Sequence, residues 1–143
     1  MALPKIETPI YSLKLPSDPK QNVSYRPFLV KEEKILLTAM EGAKELKGDE
    51  FQRVVRDVIL RIITNCTDGK IDGNKLPAFD IDYLFLNIRA KSRGESIEPS
   101  FTCNQVGKDG KTCGHVEKYS IRIDEIEIDF PEKDYSKIMV KDD

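Results

Sequence analysis

The segment Leu76–Glu95, LPAFDIDYLFLNIRAKSRGE, has the clearest start, face and end of any part of the chain. Its apolar residues recur at the three- and four-residue spacing of one buried helical face. They are Ile81, Leu84, Phe85 and Ile88. Asp80 is predicted as the N-cap, because its carboxylate can accept hydrogen bonds from amides that the first turn leaves unpaired. Gly94 is predicted as the stop, since glycine readily ends a helix. The segment therefore predicts a core helix.

The end of this predicted helix is basic. Arg89, Lys91 and Arg93, here called the basic patch, lie where a helix dipole favours cations. A solvated helix end explains such residues, and so does a surface that meets a partner or a phosphate. We expect the basic patch to contribute to partner binding, together with a strand at Ile6–Leu15.

Two further helices and a hairpin are predicted before this segment. Alternating apolar residues predict the strand at Ile6–Leu15, and a returning strand follows at Val23–Phe28. Helical spacing predicts one helix at Lys31–Leu46 and another that ends near Cys66. Asp49 begins the second of these in what resembles a capping arrangement.

After Gly94 the apolar period changes from 3.6 to 2, which predicts strands. They are expected at 96–103, 116–123 and 126–130, with a last one starting at 138–140. The sequence therefore predicts a single α+β domain over 1–143. It has an N-terminal β-hairpin, a three-helix middle at about 31–94 and C-terminal antiparallel strands at about 96–140.

Composition limits the function. The chain has 143 residues, a net charge of −2 and 34% charged residues, so nothing global attracts nucleic acid or an anionic membrane. No apolar run approaches the roughly 20 residues that span a bilayer. The N-terminus lacks the layout of a signal peptide, so we expect residence in the cytoplasm. With one histidine and no catalytic motif, we expect no enzyme and no catalytic residues.

The sharpest chemical signal is the segment 103–115, CNQVGKDGKTCGH. Cys103, Cys113 and His115 could supply three of the four ligands of a structural zinc ion, with Cys66 or a carboxylate as the fourth. The alternative is two small buried cysteines that flank a hairpin, beside an exposed histidine. A zinc-stapled hairpin and this plain hairpin both remain open, and zinc is the only cofactor that we expect.

Three segments in order resemble the baseplate hub family of T-even-type tailed bacteriophages, whose members are hub subunits or hub assembly proteins. The first is PKIETPIYSLKLPS at 4–17, and the second is VSYRPFLVKEEKILLTA at 23–39. The third is the segment that begins at Leu76, and the late cysteine pair follows it. The resemblance runs from Pro4 to about Phe130. Relatives run on past the end of this chain, so we expect a trimmed or short member.

The resemblance implies a non-enzymatic role in the assembly or structure of the baseplate hub, through contacts with other hub or tail proteins. It places the protein in the host cytoplasm during phage assembly, or in the baseplate of the virion. The alternative from another class is a zinc-stabilised nucleic-acid-binding module. Acidic residues at 117, 124, 125, 127 and 129 follow the cysteines and oppose that alternative, because they repel phosphate.

Overall fold

The middle helix of three, α2 (Asp49–Cys66), packs against both others in the computed structural model, which describes residues 7–129. The others are α1 (Val30–Gly42) and α3 (Ala78–Arg93), and a 3₁₀ turn at Gly73–Lys75 precedes α3. The predicted end of α2 at Cys66 is confirmed. Its N-cap is Gly48, at a φ of 61°, so the predicted capping by Asp49 is wrong. Glycine adopts this left-handed conformation without the steric cost of a side chain.

The predicted core helix begins three residues earlier than expected. Pro77 occupies the N-cap of α3, and Asp80 lies within the first turn. The N-cap prediction for Asp80 is therefore wrong. The predicted stop is confirmed, because Gly94 follows the last turn at a φ of 110°. The predicted face is confirmed as well, with Ile81, Leu84 and Ile88 buried.

The N-terminal hairpin consists of β1 (Tyr11–Lys14) and β2 (Asn22–Tyr25), paired antiparallel with Tyr11 opposite Tyr25. Both strands are shorter than predicted, since prolines flank them and cannot donate to a β-ladder. Ile6, the first residue of the predicted first strand, lies outside the described residues.

The hairpin closes the hydrophobic core over α2 and α3. Its buried members come from the hairpin, from the C-terminal half of α2, from the loop after α2 and from α3. They are Leu15, Val23, Tyr25, Ile62, Ile63, Cys66, Ile71, Ile81, Leu84 and Ile88. Burial of each large aliphatic side chain stabilises the fold by roughly 1.5–3 kcal/mol. From helix α1, the partly buried Leu36 packs against this core.

The C-terminal strands form one interrupted antiparallel ribbon, here called the C-terminal arm (residues 96–122). Strand β3 (Ser96–Ile97) pairs with β6 (Ile121–Arg122), and β4 (Ser100–Thr102) pairs with β5 (Val116–Lys118). The predicted strand at 96–103 is broken into β3 and β4 around Pro99. The predicted hairpin and antiparallel strands are confirmed, and so is the α+β class.

The chain leaves the C-terminal arm through a short 3₁₀ turn at Ile123–Glu125. Residues 126–129 form no strand, so that part of the predicted strand at 126–130 is wrong. Although their apolar residues alternate, residues 126–129 pair with none of the described strands. Phe130 and the predicted strand start at 138–140 lie outside the described residues.

Candidate functional site

A buried ion pair joins the hairpin to two helices. Arg26, directly after β2, donates from Nη2 to Glu32 Oε1 at 3.1 Å and to the carbonyl of Asn65 at 3.1 Å. The Arg26 backbone amide donates to the carbonyl of Cys66 at 2.9 Å. The Glu32 side chain is fully buried and accepts from the Leu29 backbone amide at 2.8 Å. These contacts, here called the Arg26 clamp, fix the start of α1 against the end of α2.

The ionisation of the clamp follows from its contacts. Burial acts to raise the pKa of the Glu32 carboxyl, but hydrogen bonds from Arg26 and from the Leu29 amide outweigh it and lower the pKa below its ordinary value. The hydrogen bond to Glu32 in turn raises the pKa of the Arg26 guanidinium. Burial raises the pKa of the neighbouring Cys66 thiol to about 11. The pair is therefore charged, and the thiol neutral, at neutral pH.

Two serines tie distant segments to α3. The Ser17 backbone amide donates to Asp80 Oδ1 at 3.0 Å, and the Ser17 hydroxyl donates to Asp80 Oδ2. Asp80 is fully buried. At the other end of α3, the Phe28 amide donates to the Ser92 hydroxyl at 2.9 Å. Sequence reasoning missed these roles, because each joins residues more than sixty positions apart.

The three residues of the basic patch do not form one continuous surface. Lys91 lies over the ring of Tyr11, with Nζ 5.3 Å from its centroid, and pairs with Glu95. Arg93 pairs with Glu33 of α1 at 3.0 Å. Arg89 shares a helical face with Arg93, since they are four positions apart. Its Nη1 is buried and has no hydrogen-bond partner among the described residues. Only Arg89 and Arg93 therefore face α1.

A groove separates α1 from α3 and has α2 as its floor. Its cavity volume is about 390 Å³. The apolar lining comes from all three helices and includes Leu36, Leu37, Met40, Val55, Ile59 and Phe85, with Arg89 and Arg93 from α3. We call it the α1–α3 groove. The apolar spacing that predicts the first helix places Leu36 and Met40 on one face of α1. The adjacent Leu37, which widens that face, was the signal for the groove.

The C-terminal arm exposes several large apolar side chains. Phe101 is 57% exposed and Tyr119 is 53% exposed, and their rings meet edge to face at 5.7 Å between centroids. Val106, Val116 and Ile121 are also exposed. Clusters of exposed apolar side chains rimmed by polar residues mark surfaces that bind other proteins.

The cysteine-rich segment lies within this arm. The Cys103 amide donates to the carbonyl of His115 at 2.8 Å, and the Gly114 amide donates to the carbonyl of Cys103 at 3.1 Å. Gly114 has a φ of 65°, so it forms a G1-type bulge opposite Cys103. Cys103 is half-buried, while Cys113 and His115 are exposed.

The proposed zinc ligands are only partly brought together. Cys103, Cys113 and His115 share one hairpin end, but Cys66 lies in the helical core, with its sulfur 4.0 Å from Arg26 Nη1. Within residues 7–129, no group of three or more histidine, cysteine or acidic side chains is arranged to hold a metal ion. His115 Nε2 instead lies 3.0 Å from Glu117. The zinc site stays a prediction.

Comparison with protein families matches residues 8–143 to the family described as T4 bacteriophage base plate protein. Comparison with curated proteins and with solved structures found no match. In the part of the chain that the structure describes, no helix is both long enough and apolar enough to cross a bilayer. The family match covers nearly the whole chain, including the Arg26 clamp, the α1–α3 groove and the C-terminal arm. The chain therefore belongs to the T4 bacteriophage base plate protein family, and its role is a structural or assembly role in a phage baseplate.

Proposed function

We propose that the protein acts without catalysis in assembling the central hub of the baseplate, and that it holds another hub or tail protein through its C-terminal arm. The exposed apolar cluster around Phe101 and Tyr119 carries this proposal. Aromatic residues at a protein interface contribute much of its binding energy when a partner removes them from water. The contacts would form in the host cell while the tail is built.

The architecture of the arm supports the same role. A two-stranded ribbon leaves unpaired backbone groups along its outer edges, and a partner strand can add to such an edge. The side chains of the arm are almost all exposed, so a partner could reach both of its faces. Glu117 lies opposite Phe101 on this surface, and its negative charge opposes binding to a nucleic acid backbone.

The test replaces the aromatic pair and leaves the rest of the arm intact. The variant Phe101→Ser with Tyr119→Ser removes the apolar cluster. The matched control, Ser100→Ala with Lys118→Ala, alters the adjacent pair of the same two strands, whose side chains point to the other face. Each protein is supplied to cells infected by a phage that lacks this gene, and complete baseplates are counted by electron microscopy.

We expect the aromatic variant to reduce the yield of complete baseplates about tenfold or more, because interface aromatics commonly contribute 2 kcal/mol or more. The control should assemble normally, and the helical core of both variants should have the melting temperature of the wild type. Normal assembly by a folded aromatic variant would contradict the proposal. Pairwise binding of the purified protein to each purified hub protein then identifies the partner.

A further inference from the structure

We infer that the α1–α3 groove receives a peptide segment of another baseplate protein, which places an apolar side chain on the groove floor and a carboxylate against Arg89. This inference rests on the proposed function and adds the chemistry of a second contact. The groove, with Arg89 and Arg93 of the basic patch, is then a binding site distinct from the C-terminal arm.

The groove presents apolar surface that the described residues do not cover. On the α1 side, Leu37 is 60% exposed and Met40 is 41% exposed. The floor consists of Val55 and Ile59 of α2, and Phe85 of α3 forms part of the opposite wall. An amphipathic peptide that lies between two helices buries its apolar side chains on such a floor. The volume of about 390 Å³ fits a few side chains, as in sites of about 300–1,000 Å³ that enclose small ligands.

Arg89 supplies the charge complementarity. Its Nη1 is buried within the groove wall and lacks a hydrogen-bond partner among residues 7–129. A buried guanidinium nitrogen without a hydrogen-bond partner is unfavourable, and a carboxylate is the ligand that matches the planar guanidinium best. The neighbouring Arg93 already pairs with Glu33 across the rim of the groove. A peptide carboxylate that enters the groove would therefore pair with Arg89.

The melting temperature of the free protein distinguishes a role of Arg89 in partner binding from a role in stabilising the fold. If Arg89 stabilised the fold, Arg89→Met would lower the melting temperature. If Arg89 instead serves a partner, Arg89→Met removes a buried donor that has no acceptor in the free protein, so the melting temperature stays the same or rises. The same substitution must then weaken binding of the peptide.

The experiment uses the full chain and short overlapping peptides that tile the other baseplate proteins of the same phage. Binding is measured by fluorescence anisotropy. We expect the bound peptides to carry an Asp or Glu next to an apolar residue. The substitutions Arg89→Met and Leu37→Asp should each lower the affinity for these peptides about tenfold or more.

The control for Leu37→Asp is Thr38→Asp, which adds the same charge at an exposed position outside the groove lining. The control for Arg89→Met is Lys70→Met, which removes an exposed cation outside the groove lining. Neither control should change affinity.

A double-mutant cycle checks the carboxylate. Replacing the peptide Asp or Glu by its amide should weaken binding to the wild type, and should cause little further loss in Arg89→Met. Equal losses in both proteins would overturn the pairing with Arg89. Wild-type affinity in a folded Leu37→Asp would overturn the groove as the site.

Other occupants have distinct signatures, and each would overturn the inference. Light scattering that shows a dimer abolished by Leu37→Asp would identify a second copy of the chain as the occupant. Tighter binding of a peptide of residues 130–143 than of any baseplate peptide would identify the chain's own C-terminal segment. If inorganic phosphate alone raises the melting temperature as much as the bound peptide does, the groove is a simple anion site.

The assembly assay separates the two proposals. Normal baseplate assembly with both groove variants would overturn only this inference, whereas a wild-type chain that binds no hub protein would overturn the proposed function as well.

Discussion

At the scale of single residues, Arg26 and Glu32 form the ion pair whose side chains are least exposed to water in the described fold. Glu32 is fully buried and the Arg26 side chain is 12% exposed, so neither charge has much access to water. A buried charge left without its partner costs far more than an exposed one. Both residues lie in the second family-like segment, YRPFLVKEEK, although their pairing was not predicted from it.

Glu32→Ala should therefore lower the free energy of unfolding by about 3–5 kcal/mol, as breaking one side of a buried pair does. The measurement is urea unfolding followed by circular dichroism. Glu33→Ala is the control, because the Glu33–Arg93 pair is partly exposed and should contribute less than about 1 kcal/mol. Equal effects of the two substitutions would contradict the buried pairing.

The same carboxylate predicts how stability depends on pH. The pKa of Glu32 is lower in the folded protein than the ordinary value of 4.5, so the folded state binds its proton less readily than the unfolded state. Its stabilising contribution is complete above that value and is lost as the pH falls through the folded pKa. Glu32→Gln should flatten the acid limb of a plot of unfolding free energy against pH. An unchanged acid limb would assign that dependence to other groups.

The cysteines allow the zinc prediction to be measured directly. Elemental analysis of protein purified without chelator should give about one zinc per chain if the hairpin cysteines act as structural ligands, and Cys103→Ser should remove it. With a thiol reagent at neutral pH, Cys66 should react only after unfolding, because it is buried and its pKa is raised to about 11. If the protein contains no zinc and both Cys103 and Cys113 react freely, the zinc prediction is wrong and the segment is a hairpin without a metal.

At the scale of elements, the helices were predictable where the signal is local. The apolar stripe and the Thr67–Gly69 turn residues fix the end of α2, and Gly94 fixes the end of α3. The start of α3 was not predictable, because the carboxylate of Asp80 serves Ser17 and not the first turn. A strand needs a partner strand as well as an alternating pattern. The alternation of Ile126 and Ile128 alone was therefore not enough to predict a strand correctly.

The contact between Ser17 and Asp80 should stabilise the attachment of the hairpin turn to α3. Ser17→Ala removes the hydroxyl hydrogen bond to a fully buried carboxylate, and should lower the free energy of unfolding by about 1–3 kcal/mol. The control is Ser12→Ala, at an exposed position in β1. Thermal unfolding of both variants measures the difference. A Ser17→Ala variant as stable as the control would mean that water replaces the hydroxyl.

At the scale of the whole molecule, burial is divided unevenly. The hairpin and helices hold nearly all of the buried side chains, whereas no residue of the C-terminal arm is buried, and Ile123, directly after the arm, is the nearest buried residue that follows it. The two parts should therefore differ in local stability, since stability follows buried apolar contact. The family could be inferred from three short segments, but the groove and the arm surface could not, because they depend on how α1, α3 and the ribbon are placed in space.

Hydrogen exchange monitored by mass spectrometry should show this division. Amides of β4 and β5 should exchange much faster than those of α2 and of α3 near Leu84, because the ribbon opens without disturbing the core. Addition of the hub partner should slow exchange in the arm and leave the core unchanged. Arm amides as slow as core amides in the free protein would contradict the division.

The Arg26 clamp also bears on the order in which the chain can fold during synthesis. Its acceptors on α2 lie about forty residues after Arg26 itself, so β2 and α1 leave the ribosome well before the carbonyls of Asn65 and Cys66 exist to receive it. Until then, closing the pair would desolvate two charges with only part of their hydrogen bonds made. We therefore expect the Arg26 clamp to close only after the end of α2 has been made, so that α1 takes its final position against α2 late in synthesis.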